Sequence, residues 1–326
     1  MIILSIETSC DETSASILRV VRGHLELLAN IVSSQIDIHK QYGGVVPEVA
    51  ARHHIKNIIP VIIEALNEAK LKPQDIDLLA TTAGPGLMTS LLIGSETAKA
   101  LSYAWQKPLI AINHMYAHIA ANFYNNKIKF PAICLVVSGG HTELIVLNNY
   151  WQTKKIGQTL DDAVGEAFDK VAKLLDLGYP GGPIISAYAE KYKNDIKFPS
   201  IKLPRPMIDS RDFNFSFSGL KTAVLYASQK FKNKNNDFKV VMSHSFQESA
   251  IDVLVSKTIK AAKKHKVKTI LMAGGVAANK KLRETLKNKA NSEGYEFFVP
   301  EFKLCTDNAG MVAIAGYYLS QKKKIA

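Results

Sequence analysis

The chain has 326 residues, 47% of them apolar and 21% charged, which suits one large domain or two lobes with cores of their own. No run of about 18 apolar residues occurs, which argues against a membrane-spanning helix, and the opening "MIILSIETS" lacks the basic start and long apolar stretch of a secretion signal. Three scattered cysteines without a C-x-x-C point to a reduced, cytosolic protein, and the net charge of +12 to an anionic partner such as nucleic acid, although lysines on solvated helix faces (Lys260 to Lys268, Lys322 to Lys324) account for it equally well.

In chain order, residues 2–8 read as a buried strand, "SASILRVV" as its hairpin partner and "LELLANIV" as a third strand. A long helix follows Pro47 to about Lys70, with proline suited to the first helical turn; adjacent His53 and His54 point to different sides of it and read as ordinary helix residues. "IDLLATTAGPGL" is a strand entering a Gly-Pro-Gly turn, followed by a helix to Trp105, the strand "PLIAI", and a helical stretch "INHMYAHIAANF" carrying His114 and His118. "ICLVVSGGHTELIVLN" is again strand, tight turn and strand. "DDAVGEAFDKVAKLLDLG" is a helix closed by Gly178, and "YPGGPIIS" a loop into another. The proline-rich "FPSIKLPRPMIDSRDF" reads as irregular, residues 238–265 as a long helix, "VKTILMAGGVAANKKL" as strand, glycine turn and helix, and "YEFFVP" as a strand before a final helix that follows "CTDNAG".

The pattern repeats at residue level. "SCDETSASIL" and "SGGHTELIVL" both place Ser and Thr four apart at a turn between strands, and "TTAGPGL" and "LMAGGVA" both leave a strand and open a helix. This suggests a duplicated α/β unit, with an N-terminal lobe over 1–112, a C-terminal lobe over 113–305, and a final helix (about 306–321) returning to the first. Paired lobes of this kind characterise the actin, sugar-kinase and heat-shock ATPase folds, where turns and helix N-termini surround phosphates.

Several segments are candidate sites. "ETSCDET" (Glu7 to Thr13) groups acids, hydroxyls and backbone amides at a strand turn, suited to phosphate or metal or simply to a polar hairpin. In "VVSGGHT", Gly139 and Gly140 leave N–H groups accessible to an anion. "MAGGVAAN" lets a flat base or ribose approach the backbone, with Asn279 as a ligand contact, a helix cap, or both. "PGGP" forces an open backbone before a helix. His114 and His118, at i and i+4, share a helix face and so could hold one metal; in the zinc-protease motif a glutamate follows the first histidine, but here that residue is Met115.

"IETSCDET", "YGGVVPE", "TAGPGL", "NHMYAH", "LVVSGGHT", "GEAFDK", "YPGGP", "FSFSGLKT", "MAGGVAAN" and "CTDN" occur in one order. In this the chain closely resembles the tRNA threonylcarbamoyladenosine transferase family, in its bacterial D-type form, formerly labelled O-sialoglycoprotein endopeptidases; Met115 speaks against the older label. The resemblance implies an actin- and heat-shock-ATPase-like fold and transfer of a threonylcarbamoyl group from threonylcarbamoyl-AMP to the adenosine beside the anticodon, in tRNAs reading codons that begin with adenine. It also implies a divalent metal, iron before zinc, on His114, His118 and Asp307. Val136, Val137, Ser138, Gly139 and Gly140 would loop around the substrate, and Asp169, Gly182 and Asn279 would contact the adenylate half. The expected partners are tRNA, a paralogous B-type protein and an E-type ATPase, in the cytoplasm and with no membrane. Two departures stand out: many relatives carry an acid where this chain has Ser186, and a tail with Arg-Pro-Arg-Trp where this chain ends "SQKKKIA". The transfer also needs a base, for which Asp11 and Glu12 qualify by type and turn position. A kinase or ATPase of the same fold is the second reading; such enzymes usually carry an acid in the second turn, where this chain has Val137 and Ser138. A metalloprotease is the third, and a non-catalytic scaffold the last.

Overall fold

The computed structural model describes residues 1–193, 201–231 and 234–325, so the start of the proline-rich stretch, 198–200, lies outside the described residues, as do the side chains of Lys323 and Lys324. The chain divides into two compact units, Met1–Ile128 with Pro300–Ala326, and Lys129–Val299. The first comprises β1 (Ile2–Glu7), β2 (Glu12–Val21), β3 (His24–Ser34), α1 (Ile36–Lys40), α2 (Pro47–Ala69), β4 (Leu78–Gly84), α3 (Met88–Trp105), β5 (Leu109–Asn113) and α4 (His114–Ala120). The second comprises β6 (Ala132–Val137), β7 (Thr142–Leu147), β8 (Thr153–Gln158), α5 (Val164–Leu174), α6 (Gly181–Glu190), α7 (Ser218–Gln229), α8 (Asn236–Lys264), β9 (Thr269–Ala273), α9 (Lys280–Ser292) and β10 (Glu296–Phe298). The chain then returns to the first unit as α10 (Ala309–Ile325).

The first unit therefore holds His114 and His118, which the expected boundary at 112/113 would have assigned to the second lobe. The physical reason is continuity: α4 grows directly out of β5 and packs on α10. The stretch "INHMYAHIAANF" is correspondingly mixed, with Ile112 and Asn113 closing the strand and the helix starting only at His114.

Each unit carries one five-stranded sheet, ordered β3-β2-β1-β4-β5 and β10-β9-β6-β7-β8. In the first, β1, β2 and β3 form an antiparallel meander, while β4 and β5 run parallel to β1. In the second, β6, β7 and β8 form the meander, and β9 and β10 run parallel to β6 and β9. Both sheets thus have the same order and sense, as the duplicated motifs led us to expect. The central strands are buried almost throughout (β1 "IILSIE", β6 "AICLVV"), as strands covered on both faces must be. On one face of the sheet α2 packs against β2 and β3, and its Ile58, Val61, Ile62, Ala65 and Leu66 form an apolar stripe in one core cluster with Leu4, Ile6 and Ile17. Each of the larger ones, alanine aside, stabilises the unit by about 1.5–3 kcal/mol. The final helix α10 also packs on β1 and β2.

Three elements were not foreseen. β8 reads "TKKIGQ" and buries only Gly157, so its sequence lacks the apolar signal of the other strands. α1 has five residues, and α7 opens at Ser218 and Gly219 without a side-chain cap.

Candidate metal centre and substrate turns

In the first unit, three distant segments converge. Asn113 caps α4 by accepting the Tyr116 N–H at 3.0 Å, which sets His114 and His118 on successive turns with ring centroids 4.6 Å apart. Asp307 arrives just ahead of α10, whose start is tied down by side chains of the meander. Ser14 Oγ accepts the Ala309 N–H (2.8 Å), Ser5 Oγ donates to the Ala309 carbonyl (2.6 Å), and Asn30 Oδ1 accepts the Gly310 N–H (3.0 Å). Asp307 Oδ1 then lies 3.1 Å from His118 Nε2 and 3.6 Å from His114 Nε2. One ligand atom from each of the three residues falls within 4.8 Å of the others.

These residues fit a metal ion on three grounds. Bonds of about 2.0–2.2 Å place neighbouring ligand atoms roughly 3–3.5 Å apart, close to the 3.1 and 3.6 Å that separate Asp307 from the two histidines. Both nitrogens of His118 are buried, and neither makes a hydrogen bond among the described residues. The 3.1 Å approach of Nε2 to Asp307 has the length of a hydrogen bond without its alignment. Finally, His114 sits between two carboxylates. Its Nδ1 is 3.2 Å from Glu7 Oε2, and, although burial opposes the charged form, Asp307 and Glu7 push the ring up to about 9. The pocket therefore favours a positive charge, which a cation supplies as it displaces the proton.

Glu7 went unassigned in the sequence and is the support of this centre. It is fully buried; Oε1 accepts the Ser9 N–H at 2.6 Å, and Oε2 accepts the Thr82 hydroxyl at 2.6 Å as well as facing His114. Burial raises its carboxyl, but the charge and hydrogen bond of His114 outweigh that and hold it below the usual range. A carboxylate on Nδ1 leaves Nε2 of His114 directed at Asp307, as in carboxylate–histidine–metal arrangements.

The turn from β1 to β2 carries Asp11 and Glu12 in the same unit. Asp11 is buried, its carbonyl accepting the Gln35 N–H at 3.1 Å. Glu12 Oε1 accepts the Ser34 hydroxyl at 3.3 Å, and burial together with the neighbouring Asp11 charge raises the Glu12 carboxyl well above its usual value. Burial and the Asp11 charge push the Cys10 thiol up, which disfavours its thiolate form.

The second unit carries the glycine turn. Val136 and Val137 close β6 and are buried, whereas Gly139 and Gly140 are exposed. Neither glycine N–H donates to protein among the described residues. The turn is held from below: the Ser138 N–H donates to His141 O (2.8 Å), and Ser138 O accepts the Gly165 N–H (3.2 Å). Gly274, at φ +91, lies so close to the Val137 backbone that no side chain could stand there.

Other predicted contacts of this unit are engaged within the protein. Asp169 Oδ1 accepts the Gly181 N–H at 2.7 Å, anchoring the start of α6; burial raises its carboxyl, against the bonds from Gly181 and Gly182. Gly182 has open space where a side chain would be. Asn279 caps α9 by accepting the Leu282 N–H at 2.9 Å, and its amide donates to Ser186 Oγ (2.8 Å) and Gln247 Oε1 (2.9 Å). Ser186 and Gln247 are themselves 3.0 Å apart. Asn279 therefore is the cap, and Gln247, which nothing in the sequence had marked, is its neighbour.

The family model described as tRNA N6-adenosine threonylcarbamoyltransferase matches residues 26–314. A protein of that name from Syntrophomonas wolfei is 53% identical over 318 residues, 97% of this chain and 92% of that protein. Another from Bacillus subtilis is 50% identical over 324 residues, 99% of this chain and 91% of that one. Among solved structures, T. kodakarensis HypF aligns with a TM-score of 0.65 at 15% identity, covering 98% of this chain and 47% of that one. Component A of Acidaminococcus fermentans (R)-2-hydroxyglutaryl-CoA dehydratase aligns with a TM-score of 0.54 at 15% identity, over 98% and 97% of the two chains. At such identities the likeness is one of fold, the duplicated actin- and heat-shock-ATPase-like α/β fold.

Proposed function

Because the chain belongs to the tRNA N6-adenosine threonylcarbamoyltransferase family, which modifies tRNA, we propose that it takes its threonylcarbamoyl group from threonylcarbamoyl-AMP. The acceptor is the exocyclic amine of the adenosine beside the anticodon, in tRNAs reading codons that begin with adenine. The convergence of His114, His118 and Asp307 at one point of the first unit is the observation that carries the site assignment.

His114, His118 and Asp307 would hold a divalent ion, iron in the first place and zinc in the second, with Glu7 orienting His114. Bound there, the ion supplies Lewis acidity toward substrate oxygens. In the second unit the open amides of Gly139 and Gly140 suit charge developing on the carbonyl and phosphate. Gly182 and Asn279 would meet the adenylate half, and Asp169 serves that contact by fixing the Gly181 amide. The amine nitrogen bonds to the carbamoyl carbon while the mixed-anhydride C–O bond breaks and AMP leaves with the electron pair. The proton released by the amine passes to Asp11 or Glu12. Glu12 is the better acceptor once ionised, since its environment makes it more basic than an ordinary glutamate.

For tRNA, the end of α8 and the edge strand β8 offer positive charge: alongside its burial, Lys264 and Lys154 depress the protonation of His265. The paralogous B-type protein and the E-type ATPase are the proposed protein partners. The exposed Ile55, Ile59 and Ile63, one turn apart on α2, and Met88 and Leu92 on α3 are a suitable apolar face for one of them. No helix among the described residues is long and apolar enough to cross a membrane, and a cytoplasmic place of work follows from the tRNA substrate. The deciding experiment is transfer of labelled threonylcarbamoyl from its adenylate to tRNA, with and without the partner proteins. No label on tRNA under any combination would overturn the proposed donor.

A further inference from the structure

α2 is anchored to the sheet by its aliphatic stripe, yet one turn before Ile58 it carries a histidine. His54 is fully buried, while its neighbour His53 is half-buried. A buried imidazole is costly unless both of its nitrogens are used, and here both are. Nε2 lies 3.0 Å from the Cys10 carbonyl and Nδ1 2.8 Å from Thr13 Oγ1. A carbonyl can only accept, so Nε2 carries the hydrogen, and in the neutral ring Nδ1 accepts from the threonine hydroxyl. Burial and nearby His39 favour this neutral form, against the Cys10 bond and the charges of Glu7 and Asp11.

The two partners are separated by Asp11 and Glu12 alone. One ring, fixed on a core helix, grips the residue before and the residue after the carboxyl pair. From the other side the same turn is held by the Gln35 N–H on the Asp11 carbonyl and the Ser34 hydroxyl on Glu12.

We propose that His54 is a positioning residue for the transfer step: by bonding the Cys10 carbonyl and the Thr13 hydroxyl, it fixes the turn that presents Asp11 and Glu12 to the proton of the attacking amine. The proposal rests on the reading of that pair as the base. It goes beyond an ordinary helix position, because neither bond serves α2 itself.

The test uses the full chain with its metal and partner proteins, in single-turnover transfer at saturating threonylcarbamoyl-AMP and tRNA. Thr13→Val keeps the side-chain shape and removes the hydroxyl; Thr13→Ser restores it; His54→Leu removes the ring. Displacing a reacting group by about 1 Å costs roughly 100-fold, so Thr13→Val and His54→Leu are each expected to slow transfer about 10- to 100-fold. Donor affinity and metal content should stay within about twofold, and Thr13→Ser should recover most of the rate. The double variant should be no slower than the slower single one, since both changes break one clamp. Unchanged rates, a Thr13→Ser variant as slow as Thr13→Val, multiplying losses, or a parallel loss of metal would each overturn the proposal. Should His54→Leu fail to fold, the two Thr13 variants decide it. Asp11→Asn and Glu12→Gln run alongside: full activity in both removes the base reading itself, whereas slow transfer in either with normal Thr13→Val and His54→Leu removes only the positioning role.

Discussion

Replacing Gly165 by alanine would place a methyl carbon 2.5 Å from Ser138 O, 2.8 Å from Gly139 Cα and 2.9 Å from Gly139 N. Ordinary contact begins near 3.4 Å, so the glycine turn must retreat by about 0.9 Å or α5 must shift, and the exposed turn is the softer of the two. Two effects on stability oppose each other. Crowding of this kind costs about 1–3 kcal/mol, and alanine recovers up to ~1 kcal/mol of helix propensity over glycine. The net loss is roughly 0–3 kcal/mol, a fall of only a few degrees in Tm for a chain of this size. Transfer should suffer far more, because a misplacement near 1 Å at the oxygens receiving charge is worth about 100-fold in rate. Single-turnover transfer from labelled threonylcarbamoyl-AMP, measured beside a thermal melt and a metal assay, separates the two. A Gly165→Ala protein that folds, holds metal and transfers within about twofold of the parent would refute the assignment of this turn to the reacting group.

Other expectations follow from the same geometry. His118→Ala should abolish stoichiometric metal while leaving a folded protein, since among the described residues the lost nitrogens make no hydrogen bond; metal analysis after dialysis checks it. Glu7→Gln should weaken metal binding about 10- to 100-fold, measured by competition with a chelator. Burial raises the Asp162 carboxyl, but Lys170 and Lys221 outweigh it and hold the group below its usual value of 3.8. Its contribution is therefore complete above pH 3.8 and disappears as pH falls through the lower folded value. Asp162→Asn should cost about 0.5–1 kcal/mol at neutral pH, a figure reduced for solvent screening, with the difference vanishing in acid denaturant titrations. Lys154→Glu with Lys264→Glu should weaken tRNA binding and flatten its salt dependence, by about 0.7–0.9 in log–log slope for each phosphate no longer neutralised; an unchanged slope would place the tRNA elsewhere.

How much of this the sequence disclosed depended on whether the signal was local. β1 and β6 announced themselves as apolar runs and their turns as glycine and hydroxyl clusters, so the duplication was legible. β8 was not, because an edge strand with "TKKIGQ" has one buried position and no alternation worth reading. His114 and His118 were visible by spacing, yet Asp307 was reached only through resemblance, since no period links it to them. Glu7 and His54 act through partners far off in the chain, Glu7 on His114 at a separation of 107 residues and His54 on Thr13 and Cys10 at 41 and 44. Nothing short of the folded structure separates such residues from their ordinary neighbours.

The tether of α10 to Ser5, Ser14 and Asn30 also orders events during synthesis. The second unit is one uninterrupted segment, while the first needs residues from both ends of the chain. At about 5–20 residues per second, the about 190 residues between His118 and Asp307 take roughly 10–40 s to make. Throughout that interval the nascent chain holds two histidines and no carboxylate from the last segment. The third proposed ligand therefore appears only after the whole of the second unit has been made, and a metal bound through all three would mark a chain in which that unit is already complete.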